Sequence, residues 1–129
     1  MFTLDEIITA HQQVKSGADF PAYIQVIKKL GVSSYETFVA DGNTTFLGNN
    51  DYSVSTGKKH ESIIISNNVD VEQFKSALKK HQKGKTDYAT FCNDCAKSGI
   101  EKWTVDLNEN TCTYYDKMKN KILSEKIPQ

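Results

Sequence analysis

Two closely spaced cysteines are the first residues of this sequence whose types suggest chemistry. Cys92-x-x-Cys95 has the spacing of dithiol redox centres and of one half of many zinc sites, and Cys112 is the third cysteine of the chain. A redox pair would be Cys92 with Cys95, or Cys95 with Cys112. A zinc site would need further ligands, for which His60 and His81 are candidates. The three cysteines therefore form a candidate thiol site.

A structural role for these cysteines is the interpretation we place first. Asp87 has the type and position of a helix cap, so Cys92 lies beyond the first turn of the helix. The helix dipole and the free N–H groups lower a thiol pKa only within that first turn. Free cysteine commonly packs as a small buried hydrophobe. An internal repeat, described below, aligns the cysteines with residues expected to face the core: Cys92 with Ile24, Cys95 with Ile27 and Cys112 with Thr44.

Two carboxylates and a histidine are the remaining candidates for chemistry. Glu36 and Asp106 would serve as paired acid and base groups, with His60 from a lysine-rich loop, only if the fold brought them together. Carboxylates on strands are more often solvated or matched with lysine. The sequence has no glycine-rich phosphate loop, no GxSxG elbow and no HExxH helix. We therefore expect a non-enzymatic protein without a cofactor.

Composition narrows the classes of partner. The chain has 129 residues, 38% of them hydrophobic and 25% charged, which is typical of one globular domain. Sixteen basic residues balance sixteen acidic ones, so the charge does not indicate nucleic-acid binding. All sixteen basic residues are lysine, so this chain cannot supply the bidentate guanidinium group of an arginine. With neither a secretory signal nor a long apolar run, we expect a cytoplasmic protein without membrane contact.

Helices and strands follow from caps, glycine stops and apolar periodicity. The pattern predicts helices over residues 4–15, 19–31, 70–84 and 87–99. It predicts strands over residues 34–39, 43–47, 51–55, 63–65, 101–107, 111–115 and 121–126, of which residues 63–65 are expected to be central and covered on both faces.

An internal repeat organises these elements. A shift of 68 residues aligns the aromatic residues of the two halves: Phe20 with Tyr88, Tyr23 with Phe91, Tyr35 with Trp103, and Phe46 with Tyr114. Each half reads as helix–helix–strand–strand–strand, the first over about residues 3–66 and the second over about 70–126. We therefore predict a single α+β domain, residues 1–129, built as a two-layer sandwich of an antiparallel sheet with helices on one face and two pseudo-symmetric repeats.

The uncovered sheet face is the candidate binding or self-association surface. Side chains alternate between the two faces of a strand, so the outward positions can be assigned from the hairpins. They include apolar residues beside carboxylates: Glu36, Phe38, Leu47, Asp106 and Tyr115. An ordinary solvated sheet face with scattered apolar residues is the alternative interpretation.

The chain also resembles a family of small bacterial proteins often labelled "phage envelope protein". The resemblance rests on SYETFVADG at residues 34–42, GKTDYATFC at 84–92, the cysteine at 95, EKWTVDL at 101–107 and TCTYYD at 111–116. It covers nearly the whole chain and implies a compact α+β domain, with a phage-related origin as a further expectation. It implies no catalytic or cofactor residues.

The sequence assigns no specific activity. The best-supported hypothesis is a small binding or self-association module whose partner is a small molecule, another protein or a second copy of the chain. A thiol redox or metal-binding protein that uses the three cysteines is the alternative.

Overall fold

The structure, a computed structural model, describes residues 2–14 and 19–127. Four α-helices lie in these stretches: α1 (Leu4–His11), α2 (Phe20–Leu30), α3 (Val71–Gln82) and α4 (Tyr88–Lys97). Thr3 and Glu6 form the predicted capping box of α1, and Asp70 and Asp87 each accept the N–H of the residue three positions ahead. None of these helices is long and apolar enough to cross a bilayer.

The strands form one antiparallel sheet. Its members are β1 (Ser34–Phe38), β2 (Thr44–Leu47), β3 (Ser53–Ser55), β4 (Ile100–Asp106), β5 (Thr111–Asp116) and β6 (Lys121–Lys126). Their order across the sheet is β3-β2-β1-β4-β5-β6, so β3 and β6 are the edges. Two helices precede three strands twice along the chain. The predicted α+β fold class is confirmed.

The two halves of the chain meet where β1 pairs with β4. In this antiparallel pairing Phe38 lies opposite Lys102 and Glu36 lies opposite Thr104. Thr104 follows Glu36 by 68 positions, the offset of the predicted repeat. The central pair therefore joins each half at the same point of its first strand. The internal repeat itself stays a prediction.

The hydrophobic core lies between the helices and one face of the sheet. Phe74 of α3 packs against Tyr114 of β5 with ring centroids 4.8 Å apart, and Phe91 of α4 packs against Trp103 of β4 at 5.6 Å. The buried core includes residues from both layers: Ile24, Ile27, Tyr35, Phe46, Phe74, Cys92, Cys95, Val105, Leu107 and Tyr114. Burial alternates along β1, which leaves the other face of the sheet open.

The prediction of a central strand at residues 63–65 is wrong. The segment forms single hydrogen bonds at its ends, where its first N–H donates to Ala40 and the N–H of Ser66 donates to Ala96. Ile64 in the middle is 92% exposed, while the isoleucine on either side turns inwards. An apolar run predicts burial, but a segment becomes a β-strand only when it forms hydrogen bonds with a neighbouring strand. Here the run connects the sheet to the helical layer instead.

Most boundaries differ from the sequence prediction by one or two residues, as the start of β3 does, and the end of α1 differs by more. The third strand begins at Ser53 rather than at residue 51, because Asn49–Asp51 forms a short 3₁₀ turn containing left-handed residues. Helix α1 ends at His11 rather than at residue 15. Its predicted stop, Gly17, lies outside the described residues.

Gly99→Ala should destabilise the protein more than Gly57→Ala does. Both glycines have left-handed backbones, with φ of +85° and +80°, so each alanine costs about 1–2 kcal/mol in conformational energy. At Gly99 the added Cβ would also lie 2.7 Å from the backbone oxygen of Asn68, whereas nothing lies within 4 Å of it at Gly57. We expect an additional loss of about 1–3 kcal/mol at Gly99. Urea unfolding measures both variants, and equal losses would show that the close approach is unimportant.

Candidate functional site

The open side of the sheet, called the outer face below, contains the residues selected from the sequence. It is defined by side chains that point away from the helices on strands β1, β2, β4 and β5 and on the edge strand β6. These side chains are Ser34, Glu36, Phe38, Thr45, Leu47, Lys102, Thr104, Asp106, Thr113, Tyr115 and Ser124. Most of these side chains are half-buried by their neighbours, and Leu47 is 43% exposed. The outer face is therefore a continuous surface rather than a set of isolated projecting side chains.

Lys102 brings three of the five selected residues together. Its Nζ lies 2.6 Å from Oε1 of Glu36, 5.9 Å from the ring centre of Phe38 and 5.4 Å from that of Tyr115. The lysine thus sits between two aromatic rings while its charge is matched by Glu36. Because both charged side chains remain partly in solvent, the ion pair stabilises the fold by less than about 1 kcal/mol. Its main effect is to leave no unmatched charge at this point of the face.

Lys102 was not among the site residues selected from the sequence. Its importance follows from register: it lies opposite Phe38 on β1 and opposite Tyr115 on β5. Alternation within one strand gives the face of a residue, but it does not give the neighbours on the adjacent strands. The repeat offset of 68 residues could have identified Lys102. If each first strand pairs with its counterpart, Glu36 lies opposite Thr104, and this register places Lys102 opposite Phe38.

Leu47 and Asp106 lie at the other end of the outer face. Each is opposite Ser34, from β2 and β4 respectively. Oδ1 of Asp106 accepts the N–H groups of Asn108 and Glu109 at 2.9 and 3.0 Å, so this carboxylate holds the β4–β5 turn. Asp106 is therefore a turn residue as well as a surface residue, and Leu47 supplies the apolar area at this end.

Hydroxyl groups fill the middle of the outer face. Thr45 and Ser55 are hydrogen-bonded through their side-chain oxygens at 2.7 Å, and Thr113 and Ser124 are joined in the same way at 3.0 Å. These pairs lie on opposite sides of Glu36, which is directly opposite Thr45 on one flank. The middle of the face is thus polar and internally bonded, while its two ends are more apolar.

The acid–base hypothesis for Glu36, Asp106 and His60 does not fit these contacts. Glu36 pairs with Lys102, and Asp106 binds the turn. His60 is half-buried, and its Nδ1 lies 2.9 Å from the carbonyl oxygen of Glu61. Each group has its own local partner, so the three do not form one catalytic constellation.

The cysteines lie in the core. Cys92 and Cys95 are fully buried in α4, Cys112 is buried on β5, and none of them forms a disulfide. Burial raises the pKa of all three thiols, and that of Cys112 to about 12. At Cys92 the nearby Tyr88 hydroxyl and Lys59 ammonium only partly oppose this effect. Because the thiolate is the reactive form and the metal ligand, these positions disfavour thiol chemistry.

The histidines proposed as further metal ligands have other surroundings. His81 stacks on Phe91 with ring centroids 4.3 Å apart, and burial lowers its pKa. The other proposed ligand, His60, has the local contact with Glu61 described above. His11, which was not a candidate ligand, packs edge-on against Tyr23, and burial lowers its pKa as well. Across residues 2–14 and 19–127, no three histidine, cysteine, aspartate or glutamate side chains are grouped so that they could hold a metal ion. The thiol or metal alternative is therefore not favoured.

The native thiols should react with a thiol reagent only when the protein unfolds. Their burial predicts that labelling accelerates with urea in parallel with unfolding. The thiol introduced by Thr9→Cys, at an exposed position of α1 in the helical layer, provides a matched control and should react at once. The measurement is the labelling rate of each cysteine, followed by mass spectrometry. Labelling of Cys92 or Cys95 in the folded protein at the control's rate would contradict the structural role.

Comparison with known proteins places this α+β chain in a family. A family model described as "Protein of unknown function (DUF1398)" matches residues 8–126, and the chain belongs to that family. It is also similar to "Uncharacterized protein YcgX" of Escherichia coli (strain K12), with 22% identity over 104 residues that cover 81% of this chain and 78% of the relative. Neither match bears the "phage envelope" label, so that label stays an expectation from the resemblance.

Proposed function

We propose that this protein is a non-enzymatic association module that pairs with a second copy of itself through the outer face. The observation that supports this proposal is that the selected ionisable side chains of the face already have partners within the chain. Glu36 pairs with Lys102, and Asp106 is bound by two turn N–H groups. A partner would therefore cover the Glu36–Lys102 pair without leaving either charge unpaired, and it would cover an Asp106 carboxylate that is already hydrogen-bonded, which lowers the cost of burying this surface.

The shape of the outer face favours a macromolecular partner over a small molecule. Two grooves formed by the described residues are lined by α1 with α2 and by α3 with β6, and neither opens onto the outer face. Small ligands bind in concave sites, whereas two sheets can pack face to face about 10 Å apart through their side chains. The apolar residues at the ends, Phe38 and Tyr115 at one and Leu47 at the other, would provide most of the favourable burial.

A second copy is the partner that suits the pattern of this surface. Two-fold dimers use the same patch on both subunits, so the patch must be complementary to itself. The outer face has a polar middle and apolar ends, and the Glu36–Lys102 pair carries no net charge that would repel the same pair in an identical face. When two such faces are related by a two-fold axis, hydroxyl groups meet hydroxyl groups and apolar ends meet apolar ends.

The internal repeat belongs to the same proposal. We infer that the two halves are structural copies related by an approximate two-fold axis through the central strand pair. The placement of Glu36 opposite Thr104 supports this inference, because an antiparallel pair of equivalent strands must contain one residue that faces its own counterpart. The hydroxyl pairs Thr45–Ser55 and Thr113–Ser124 on either side of the axis also support it.

Combined substitution Phe38→Asp and Tyr115→Asp should convert the dimer to a monomer. Each change removes an aromatic anchor worth about 1.5–3 kcal/mol when buried and places a charge in the interface. The matched control is Ile8→Asp with Val26→Asp, which alters two exposed apolar residues of the helical layer and should leave the dimer intact. Sedimentation equilibrium measures the dissociation constant, and we expect it to rise at least about tenfold for the first pair only.

Thr104→Arg provides an independent test at the middle of the face, where the native aromatic packing is untouched. It should weaken the dimer without unfolding the chain, as circular dichroism would show. A wild-type protein that is monomeric at every concentration, or a dimer that both outer-face variants leave unchanged, would refute the proposal.

A further inference from the structure

We propose that the edge strand β6 and helix α3 together form a binding site for an extended acidic peptide, which would add to the sheet as a seventh strand. This site lies at the edge of the sheet, not on the outer face, and the inference does not depend on the proposed dimer. It follows from three features of the described residues: an open strand edge, a groove beside that edge, and lysines without carboxylate partners around it.

The first feature is the open hydrogen-bonding edge of β6. This strand ends the sheet, and it has six residues where the opposite edge, β3, has three. The N–H of Ile127 donates to Asn110, across the ladder towards β5. Because bonding direction alternates along an antiparallel pair, the N–H and C=O groups of Ser124 and Lys126 point to the open side. Such groups are the template for strand addition.

The second feature is the groove between β6 and α3, with a volume of about 510 Å³. Leu78 of α3 and Leu123 of β6 provide its apolar surface. At one end Gln82 donates a hydrogen bond to Glu125 over 3.1 Å and so links helix and strand. A strand added to β6 would direct alternate side chains into this groove, where an apolar residue would contact the two leucines. Backbone pairing and side-chain recognition therefore occur at one place.

The third feature is the charge around the groove. Lys75 and Lys79 line it from α3, and Lys121 begins the edge strand. Within the described part of the chain, no carboxylate lies at ion-pair distance from any of these three lysines. Glu72 and Glu125 also line the groove, so the three lysines exceed the carboxylates by one positive charge. The site therefore favours a ligand with acidic residues.

The same lysines argue against a second copy as the occupant of the edge. Pairing of β6 with β6 of another copy would bring a second groove with the same excess of lysine to this edge. Like charges that approach across a joined interface oppose association. An acidic extended segment satisfies both the open backbone groups and the lysines, whereas a second copy satisfies only the backbone groups.

The probe for this proposal is a fluorescent peptide of about eight residues that alternates valine and glutamate, which is long enough to cover an average strand. Its binding to the full chain is measured by fluorescence anisotropy, together with a valine–lysine peptide of the same length. We expect binding of the first peptide at least tenfold tighter than binding of the second, weakening with added salt. Amide hydrogen exchange should show new protection at Ser124 and Lys126.

The charge variants separate this site from general attraction to lysine. Lys75→Glu with Lys79→Glu should reduce affinity for the acidic peptide at least tenfold. Lys28→Glu with Lys29→Glu, the same charge change at exposed positions of α2, is the matched control and should leave the affinity within about twofold of wild type. An equal reduction in both variants would overturn the proposal.

Ser124→Pro tests the backbone component. Proline is tolerated on an edge strand when the missing N–H faces solvent, so the fold should persist while strand addition loses a donor. We expect a clear loss of peptide affinity with the sheet still protected from exchange. Absence of acidic-peptide binding up to its solubility limit, or binding without protection at Ser124 and Lys126, would overturn the proposal.

Discussion

The pairing of β1 with β4 is the interaction on which the rest of the molecule depends. Each half of the chain has two amphipathic helices and three strands, and three strands with two helices bury little apolar surface alone. The central pair joins them into one six-stranded sheet, with Glu36 opposite Thr104 near its middle. Backbone bonds from Val39 to Glu101 and from Leu107 to Ser33 extend the junction beyond both ends of β1. One continuous core then serves both halves.

This junction also determines which surfaces remain open. Because the helices pack on one side, the other side of the sheet faces solvent. There Lys102 and Glu36 form an ion pair, and Asp106 accepts hydrogen bonds from the β4–β5 turn. Because the sheet grows outward from its centre and does not close, it leaves two edges. The edge at β3 is short, whereas the edge at β6 lies beside a groove that is lined in part by lysines. The two proposed binding surfaces thus result from the same architecture.

Sequence patterns predicted the elements well because they depend on local chemistry. Caps such as Asp70 and Asp87 and alternation along the hairpins follow from residues near one another in the chain, and β6 was predicted with its observed bounds. Residues 63–65 were misassigned because an apolar run indicates burial but does not supply a pairing partner. The grouping around Lys102 and the groove beside β6 depend on register and on packing between distant segments. Neither is encoded in the spacing within one element.

The buried cysteines show how a chemical motif and a packing position can coincide. Cys92 and Cys95 have redox spacing, but α4 turns both towards the sheet, where burial raises their pKa values. Comparison with Ile24 and Ile27 in the first half already indicated core positions, and those isoleucines are themselves fully buried. Burial in the fold therefore favours a packing role over a redox role for these cysteines, a choice that their spacing alone did not decide.

Native-state hydrogen exchange of the backbone amides tests most directly whether the central pair joins both halves into one cooperative unit. The account predicts that amides bonded between β1 and β4, including those of Val39 and Leu107, exchange only through global unfolding. Their opening free energies should equal the free energy of unfolding measured with urea, while amides at the edges exchange more easily. If the β1–β4 amides opened at a clearly lower free energy than amides inside α2 and α4, the two halves would separate before they unfold, and the account would be contradicted.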